Sequence, residues 1–318
     1  MHIPDGFLDA KTAIAGGIFA ATGLGLAIRH IKRNVPHRHI PMIGLASAFV
    51  FAAQMLNFPV LGGTSGHLIG AVLVAIILGP YVAVLVMSSV LILQCLMFAD
   101  GGITALGANI FNMAIVAPLT GFAVYRLLYQ LLGKNQRARF TAIAFASWVS
   151  TVAASIVCAG QLALSGTAKW NVVFPAMAGI HMLIGIGEAI TTTFVIVSIA
   201  RISPEKLSDM DGSDIRLAFS HVIGYGMIIS IGLVLFVSPF ASSWPDGLEK
   251  ISQKLGFDIA GSNKAIIPSP ISDYGFPGIG STAISTIIAG IIGTLLAFLL
   301  SYLLSSALTP AHKSHKLN

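Results

Sequence analysis

Three nitrogen donors stand in a row at the start of this chain: the amino group of Met1, the backbone nitrogen of His2 and the His2 imidazole. On one metal ion they close a five-membered and then a six-membered chelate ring, filling three corners of a square plane. A second imidazole from elsewhere in the chain would fill the fourth. Tetragonal nitrogen sites suit Ni(II) or Cu(II), whereas zinc takes a tetrahedron and calcium or magnesium take oxygen. The backbone nitrogen must shed its proton to ligate well, so binding is expected to depend strongly on pH. The chelate needs an unblocked amine on Met1, and histidine at position 2 is bulky enough to keep the initiator methionine in place. Taken alone, His2 reads more simply as a polar residue at a frayed terminus.

Other residues bear on that choice. His67 closes the run Gly62-Gly63-Thr64-Ser65-Gly66-His67 and then enters an apolar stretch. The small residues let backbone approach closely, and Thr64 and Ser65 can orient an imidazole through hydrogen bonds. The same run also serves as a polar turn with an interfacial histidine. Asp100-Gly101-Gly102 precedes Asn109 and Asn112, which gathers oxygens near one helix end to order the N-terminal loop, cap helices or bond between them. Glu188 is the one acidic residue in the interior of an expected span, and His181 lies seven positions earlier on the same helix face, with Thr191 and Thr192 a turn onward. Ionisable groups at that depth are costly, so the pair is either interhelical glue or a gate.

The elements that must position these residues are helices. Of 318 residues 55% are hydrophobic and 9% charged, against about a quarter charged in soluble domains, so this is an integral membrane protein. The net charge of +6 is no nucleic-acid signal, because the basic residues sit between apolar runs. Cys95 and Cys158 fall inside such runs and read as small buried hydrophobes, with neither a disulfide framework nor a zinc motif. No basic region precedes Thr12, so no cleavable signal is expected. Apolar stretches predict an all-α polytopic fold of about nine transmembrane helices, at 12–30, 40–57, 67–79, 81–98, 105–132, 140–163, 173–200, 217–240 and 281–305. The third and fourth meet at Gly79-Pro80 as a hairpin or one broken span. In the first, Gly17, Ala21 and Gly25 form a small-residue ladder for close contact with another helix or subunit.

Charge sets the orientation. With the N-terminus outside, the cytoplasmic segments hold Arg29, Lys32, Arg33, Arg38, Arg126, Lys134, Arg137, Arg139, Arg201, Lys206, Arg216, Lys313 and Lys316. The outside segments hold only Lys11, Lys169, Lys250, Lys254 and Lys264. The positive-inside rule therefore places the N-terminus and His67 outside and the C-terminus in the cytoplasm of a plasma (inner) membrane protein. A polar, acid-rich linker at 202–216 divides the chain into 1–201 and 217–318, the latter being two helices around a long external loop from about 241 to 280.

Four stretches carry a resemblance: Met1-His2-Ile3-Pro4-Asp5-Gly6-Phe7-Leu8, Gly62 to His67, Ala99 to Asn109, and His181 to Glu188. Over about residues 1–200 they resemble the CbiM/NikM substrate-binding subunits of energy-coupling-factor (ECF) nickel and cobalt transporters. Trp244-Pro245-Asp246-Gly247-Leu248-Glu249-Lys250-Ile251, between two helices, resembles the small CbiN/NikN companion protein with its PDGLE motif, here fused.

The resemblance implies that the Met1 amine, both His2 nitrogens and His67 bind Ni2+ or Co2+ as transported substrate. Asp5, Thr64, Ser65, Asp100 and Asn109 would support those donors, while His181 and Glu188 would tune or gate the site. It further implies a membrane coupling subunit of CbiQ/NikQ type, two ATPases of CbiO/NikO type, and an accessory metal-loading role for the companion module. The chain has no G-x-x-x-x-G-K-[ST] and no H-E-x-x-H, so it binds no ATP through a P-loop and is expected not to be an enzyme. Geometry favours nickel over cobalt, and copper, the tighter binder in general, would be excluded by availability. The rival is a secondary cation transporter or channel with a His181–Glu188 proton relay.

Overall fold

The computed structural model describes residues 1–202, 219–261 and 268–309. Past Ile202 the expected linker lies outside the described residues, as do Lys206, Arg216, Lys264, Lys313 and Lys316 of the charge argument.

The fold is all-α and polytopic, with helices α1 Ala10–Asn34, α2 Ile40–Gln54, α3 Ala71–Leu78, α4 Pro80–Phe98, α5 Leu106–Leu131, α6 Gln136–Leu164, α7 Trp170–Ile202, α8 Phe219–Phe236, α9 Gly247–Leu255 and α10 Thr282–Leu308. Local chemistry sets several ends. Asp9 caps α1 by accepting from Thr12 N at 3.0 Å, and Asn135 caps α6 by accepting from Ala138 N at 2.8 Å. Gly79 takes φ 89° and Pro80 occupies the first turn of α4, so α3 and α4 are two helices and not one broken rod. Within α5 the segment Ile110–Val116 is a π-helix.

Among the described residues, seven helices are long and apolar enough to cross a membrane, against the expected nine or so. The difference lies in α2 and α3. With 15 and 8 residues they extend about 22 and 12 Å, short of a hydrocarbon core of about 30 Å. The third expected helix, 67–79, begins only at Ala71, because residues 67–70 run on from a short strand at 64–66 as irregular backbone. Strands β1 (Phe58–Val60) and β2 (Thr64–Gly66) make an antiparallel hairpin pairing Phe58 with Gly66 and Val60 with Thr64, its turn made by Gly62 and Gly63 at φ 93° and 71°.

The centre of the bundle is α4, whose most apolar window is 78% buried, whereas α1 and α8 are peripheral at 17%. Helix α10 lies against α2, where Ser47 Oγ donates to Ser301 Oγ at 2.6 Å. A Cβ on Gly293 would come within 2.0 Å of the Phe51 ring. Helix α1 packs through Gly16, Ala20, Ala27 and Ile31. Of the ladder expected to make contact, Gly17 lies against α5, where a Cβ on Gly107 would sit 2.5 Å from Gly17 Cα, whereas Ala21 and Gly25 are exposed. Cross-links gather the N-terminal segment, the hairpin, residues 97–104 and the 241–280 loop at one end, through Ser242 N to Asn57 O (2.8 Å), Ile271 N to Met97 O (3.0 Å) and Gly102 N to Ile3 O (2.8 Å).

Candidate metal centre

The N-terminal segment is threaded into that end. Met1, Ile3 and Phe7 are buried. The Asn109 side chain, in the first turn of α5, grips Ile3 at both backbone groups: Ile3 N donates to Oδ1 at 2.8 Å, and Nδ2 donates to Ile3 O at 3.0 Å. Two residues on, Asp5 Oδ1 accepts from Thr104 N at 2.8 Å and Thr104 Oγ1 at 2.6 Å. Gly102 must be glycine, since a Cβ there would sit 2.2 Å from Asp5 N.

His67 follows β2. Its Nδ1 lies 3.2 Å from Leu68 O, which as an acceptor keeps the proton on Nδ1 and leaves the Nε2 lone pair free. That Nε2 is 3.2 Å from the Met1 amine nitrogen. Burial, reinforced by the charge of the Met1 amine and by His2, pushes the His67 pKa down to about 3, so the ring is neutral at physiological pH. The residues after it are held by α7: Glu188 accepts from Ile69 N at 2.6 Å and Gly70 N at 2.9 Å, while Gln54 Nε2 donates to Ile69 O at 2.8 Å. Glu188 is thus a brace for the His67 segment.

The His2 ring stacks on His67 with centroids 5.3 Å apart and planes 16° from parallel. Its Nδ1 lies 2.9 Å from Asp100 Oδ1, and its Nε2 is buried without a hydrogen-bond partner. The second Asp100 oxygen accepts from Tyr274 Oη at 2.6 Å. Burial opposes ionisation of Asp100, but His2 and the Tyr274 hydroxyl outweigh it and hold the carboxyl below the usual carboxylate range. The Met1 amine itself is paired with Asp246. Burial opposes ionisation there too, and the amine charge together with the Glu249 N–H keeps the carboxyl low.

A cavity of about 10 Å³, room for one water-sized particle, is lined by Met1, His67, Thr151, His181, Asp246 and Gly247, among others. His181 Nδ1 approaches Met177 O at 2.8 Å, which leaves its Nε2 free on the cavity side. Thr64 and Ser65 do not turn to the imidazole. Thr64 Oγ1 donates to Pro245 O at 3.0 Å and Ser65 Oγ to Trp244 O at 2.7 Å, because the second loop presents bare carbonyls there.

Sequence reasoning missed Asp246, Tyr274 and Gln54. The Asp-x-x-Glu spacing of a helix cap at 246–249 was the available signal for the first. Among the described residues no group of three His, Cys, Asp or Glu side chains is placed to hold a metal ion, so any metal held here needs main-chain donors.

Residues 2–206 match the family described as the cobalt uptake substrate-specific transmembrane region, CbiM, and residues 220–310 match the PDGLE domain. The chain belongs to the CbiM family. It is 34% identical over 282 residues to a putative fused nickel transport protein NikMN of Archaeoglobus fulgidus, covering 88% of this chain and 90% of that one. The cobalt transport protein CbiM of Lachnoclostridium phytofermentans is 32% identical, covering 66% and 86%. A crystal structure of a transition metal transporter superposes with TM-score 0.59 at 34% identity, covering 64% of this chain and 94% of that one. CbiM membership makes this a cobalt/nickel transport membrane protein, and its relatives are metal transport proteins.

Proposed function

We propose that this chain is the metal-capturing subunit of an ATP-driven ECF-type importer, taking Ni2+ in preference to Co2+ from the extracytoplasmic side. The amine of Met1, the amide and Nδ1 of His2, and Nε2 of His67 form the nitrogen plane. In such a chelate the amide sits between amine and imidazole, so the fourth corner is trans to the amide and adjacent to the amine. Adjacent corners at metal–nitrogen bonds of about 2.0 Å are about 2.8 Å apart. The observation that carries the proposal is the Met1 amine facing His67 Nε2 at 3.2 Å in a buried cavity. The His2 amide supports it, since no hydrogen bond among the described residues takes up its N–H. Closing the ring through Nδ1 requires the Asp100 contact to give way.

The same reading divides the chain into a metal-binding unit at 1–201, a linker at 202–216 and a companion unit at 217–318, in the plasma (inner) membrane with N-terminus outside and C-terminus inside. Its partners are a coupling subunit of CbiQ/NikQ type and two ATPases of CbiO/NikO type, which hydrolyse the ATP. The Gly17, Ala21 and Gly25 stripe on α1, exposed at Ala21 and Gly25, is the surface offered to the coupling subunit. A proton relay through His181 and Glu188, as a stand-alone cation transporter would use, is the weaker reading. The Glu188 carboxylate is engaged by two backbone amides and the His181 Nδ1 by a helix carbonyl.

The test is nickel content and visible absorption of the purified protein, native and with one residue added before Met1. A yellow d–d band in the native chain that vanishes in the extended one is the expected result. A band unchanged by the extension overturns the amino-terminal plane.

A further inference from the structure

Beyond the plane itself, and resting on that reading of it, we propose that the Pro245–Glu249 stretch is a docking key cut to the site, with Asp246 as positioning residue for the Met1 amine. Each residue of the stretch meets something specific. Pro245 O accepts from Ser65 N at 2.8 Å and Thr64 Oγ1 at 3.0 Å, which ties the loop to the strand that leads into His67. Gly247 clears the His181 ring: a Cβ there would lie 2.9 Å from Cε1 and 3.0 Å from Ile184 Cδ1. Leu248 is 1% exposed and anchors α9. Asp246 and Glu249 form a capping box, Glu249 N donating to Asp246 Oδ1 at 2.8 Å and Asp246 N to Glu249 Oε2 at 3.3 Å.

A helix cap needs one oxygen, and serine or threonine would supply it. A carboxylate has two. Oδ1 is committed to the cap, and Oδ2 is the atom that meets the Met1 amine. A primary amine bound to a metal keeps two hydrogens, so this contact persists after ligation. It fixes rotation about the Met1 Cα–N bond with the lone pair turned toward the corner beside His67 Nε2. A divalent ion bound by a deprotonated amide also leaves net positive charge in a buried place, where an unpaired charge is expensive, and Asp246 stands opposite it. Asp100 supplies a carboxylate beside His2, and the companion unit supplies the one that meets the Met1 amine.

The experiment titrates Ni2+ alone into the full chain and follows the visible band, with metal-free thermal melting alongside, for Asp246→Asn, Glu249→Ala and His67→Ala. Asparagine caps helices as well as aspartate, so Asp246→Asn leaves α9 in place. The expected result is at least tenfold weaker nickel binding and a shifted band in Asp246→Asn, whose metal-free form still melts cooperatively although at a lower temperature, with Glu249→Ala near the native affinity. Native affinity and band in Asp246→Asn, while His67→Ala loses nickel, overturns the role of Asp246 and leaves the plane standing. Equal weakening in Asp246→Asn and Glu249→Ala reduces Asp246 to a helix cap and also overturns it. Nickel retained by His67→Ala removes the plane and this inference with it.

Discussion

Two stretches face each other across the Met1 amine, and they are held in opposite ways. The His67 stretch, residues 64–70, is fixed from the membrane core: Glu188 on α7 and Gln54 at the end of α2 bind its backbone directly. The Asp246 stretch, residues 244–249, owes its local shape to its own capping box, and its carbonyls lean on Thr64 and Ser65. One wall is hydrogen-bonded to the bundle, and the other is hydrogen-bonded to the first wall while packing on α7 through Gly247. Damage should therefore pass from the His67 side to the Asp246 side and not in reverse.

The strongest way to break that order is His67→Ala. It should abolish saturable nickel binding while leaving the helical fold intact, as circular dichroism and a metal titration would show. Next comes Glu188→Gln, which keeps the side-chain length but replaces one of the two oxygens that accept from the Ile69 and Gly70 amides. It should weaken nickel binding about 10- to 100-fold and lower transport in proportion. Transport lost with binding intact would make Glu188 a gate and not a brace.

Acid titration separates the walls by pH. The unfolded chain protonates His67 near 6.5 while the folded chain refuses the proton until about 3, so the unfolded state binds more protons between those values. Stability should fall as pH drops through 6.5, by up to about 1.4 kcal/mol per unit from this group. Asp246 is lowered from an ordinary 3.8, so its contribution is present above that value and fades only at more acid pH. Between pH 7 and 4 the His67 wall should thus respond while Asp246 does not, and a shallower pH dependence of the melting temperature in His67→Ala checks the assignment. The smallest effect belongs to Ser65→Ala. Losing the bond to Trp244 O should cost about 1 kcal/mol, read as faster hydrogen exchange in α9 with none in α3.

Much of this was legible beforehand, and the misses have physical causes. Apolar runs located the helices because membrane length imposes a plain pattern. They gave about nine candidate spans where seven described helices are long enough, because α2 and α3 are apolar without being long: burial inside a protein demands the same composition as burial in lipid. The Met1 and His2 nitrogens proposed as donors were legible from chemistry, since ring closure depends on covalent spacing, whereas the pairing with His67 rested on the family resemblance. Small residues on α1 pointed to a packing face, yet helix periodicity offers several neighbouring stripes and only tertiary structure selects Gly16, Gly17 and Ala20 over Ala21 and Gly25. Asp246 escaped because it reaches Met1 across 245 positions, and a capping motif satisfies its own local grammar without announcing a spare oxygen. The hairpin at 58–66 escaped because three-residue strands carry no readable alternation.

The hydrogen bonds between the hairpin and residues 244–245 are few, and each is individually modest. Because both partners belong to one polypeptide, their meeting is unimolecular, at an effective concentration on the order of millimolar or above. Weak bonds suffice at that concentration. The same loop carried on a separate protein would need either a much larger interface or an excess of copies to stay docked, so fusion makes occupancy independent of gene dosage.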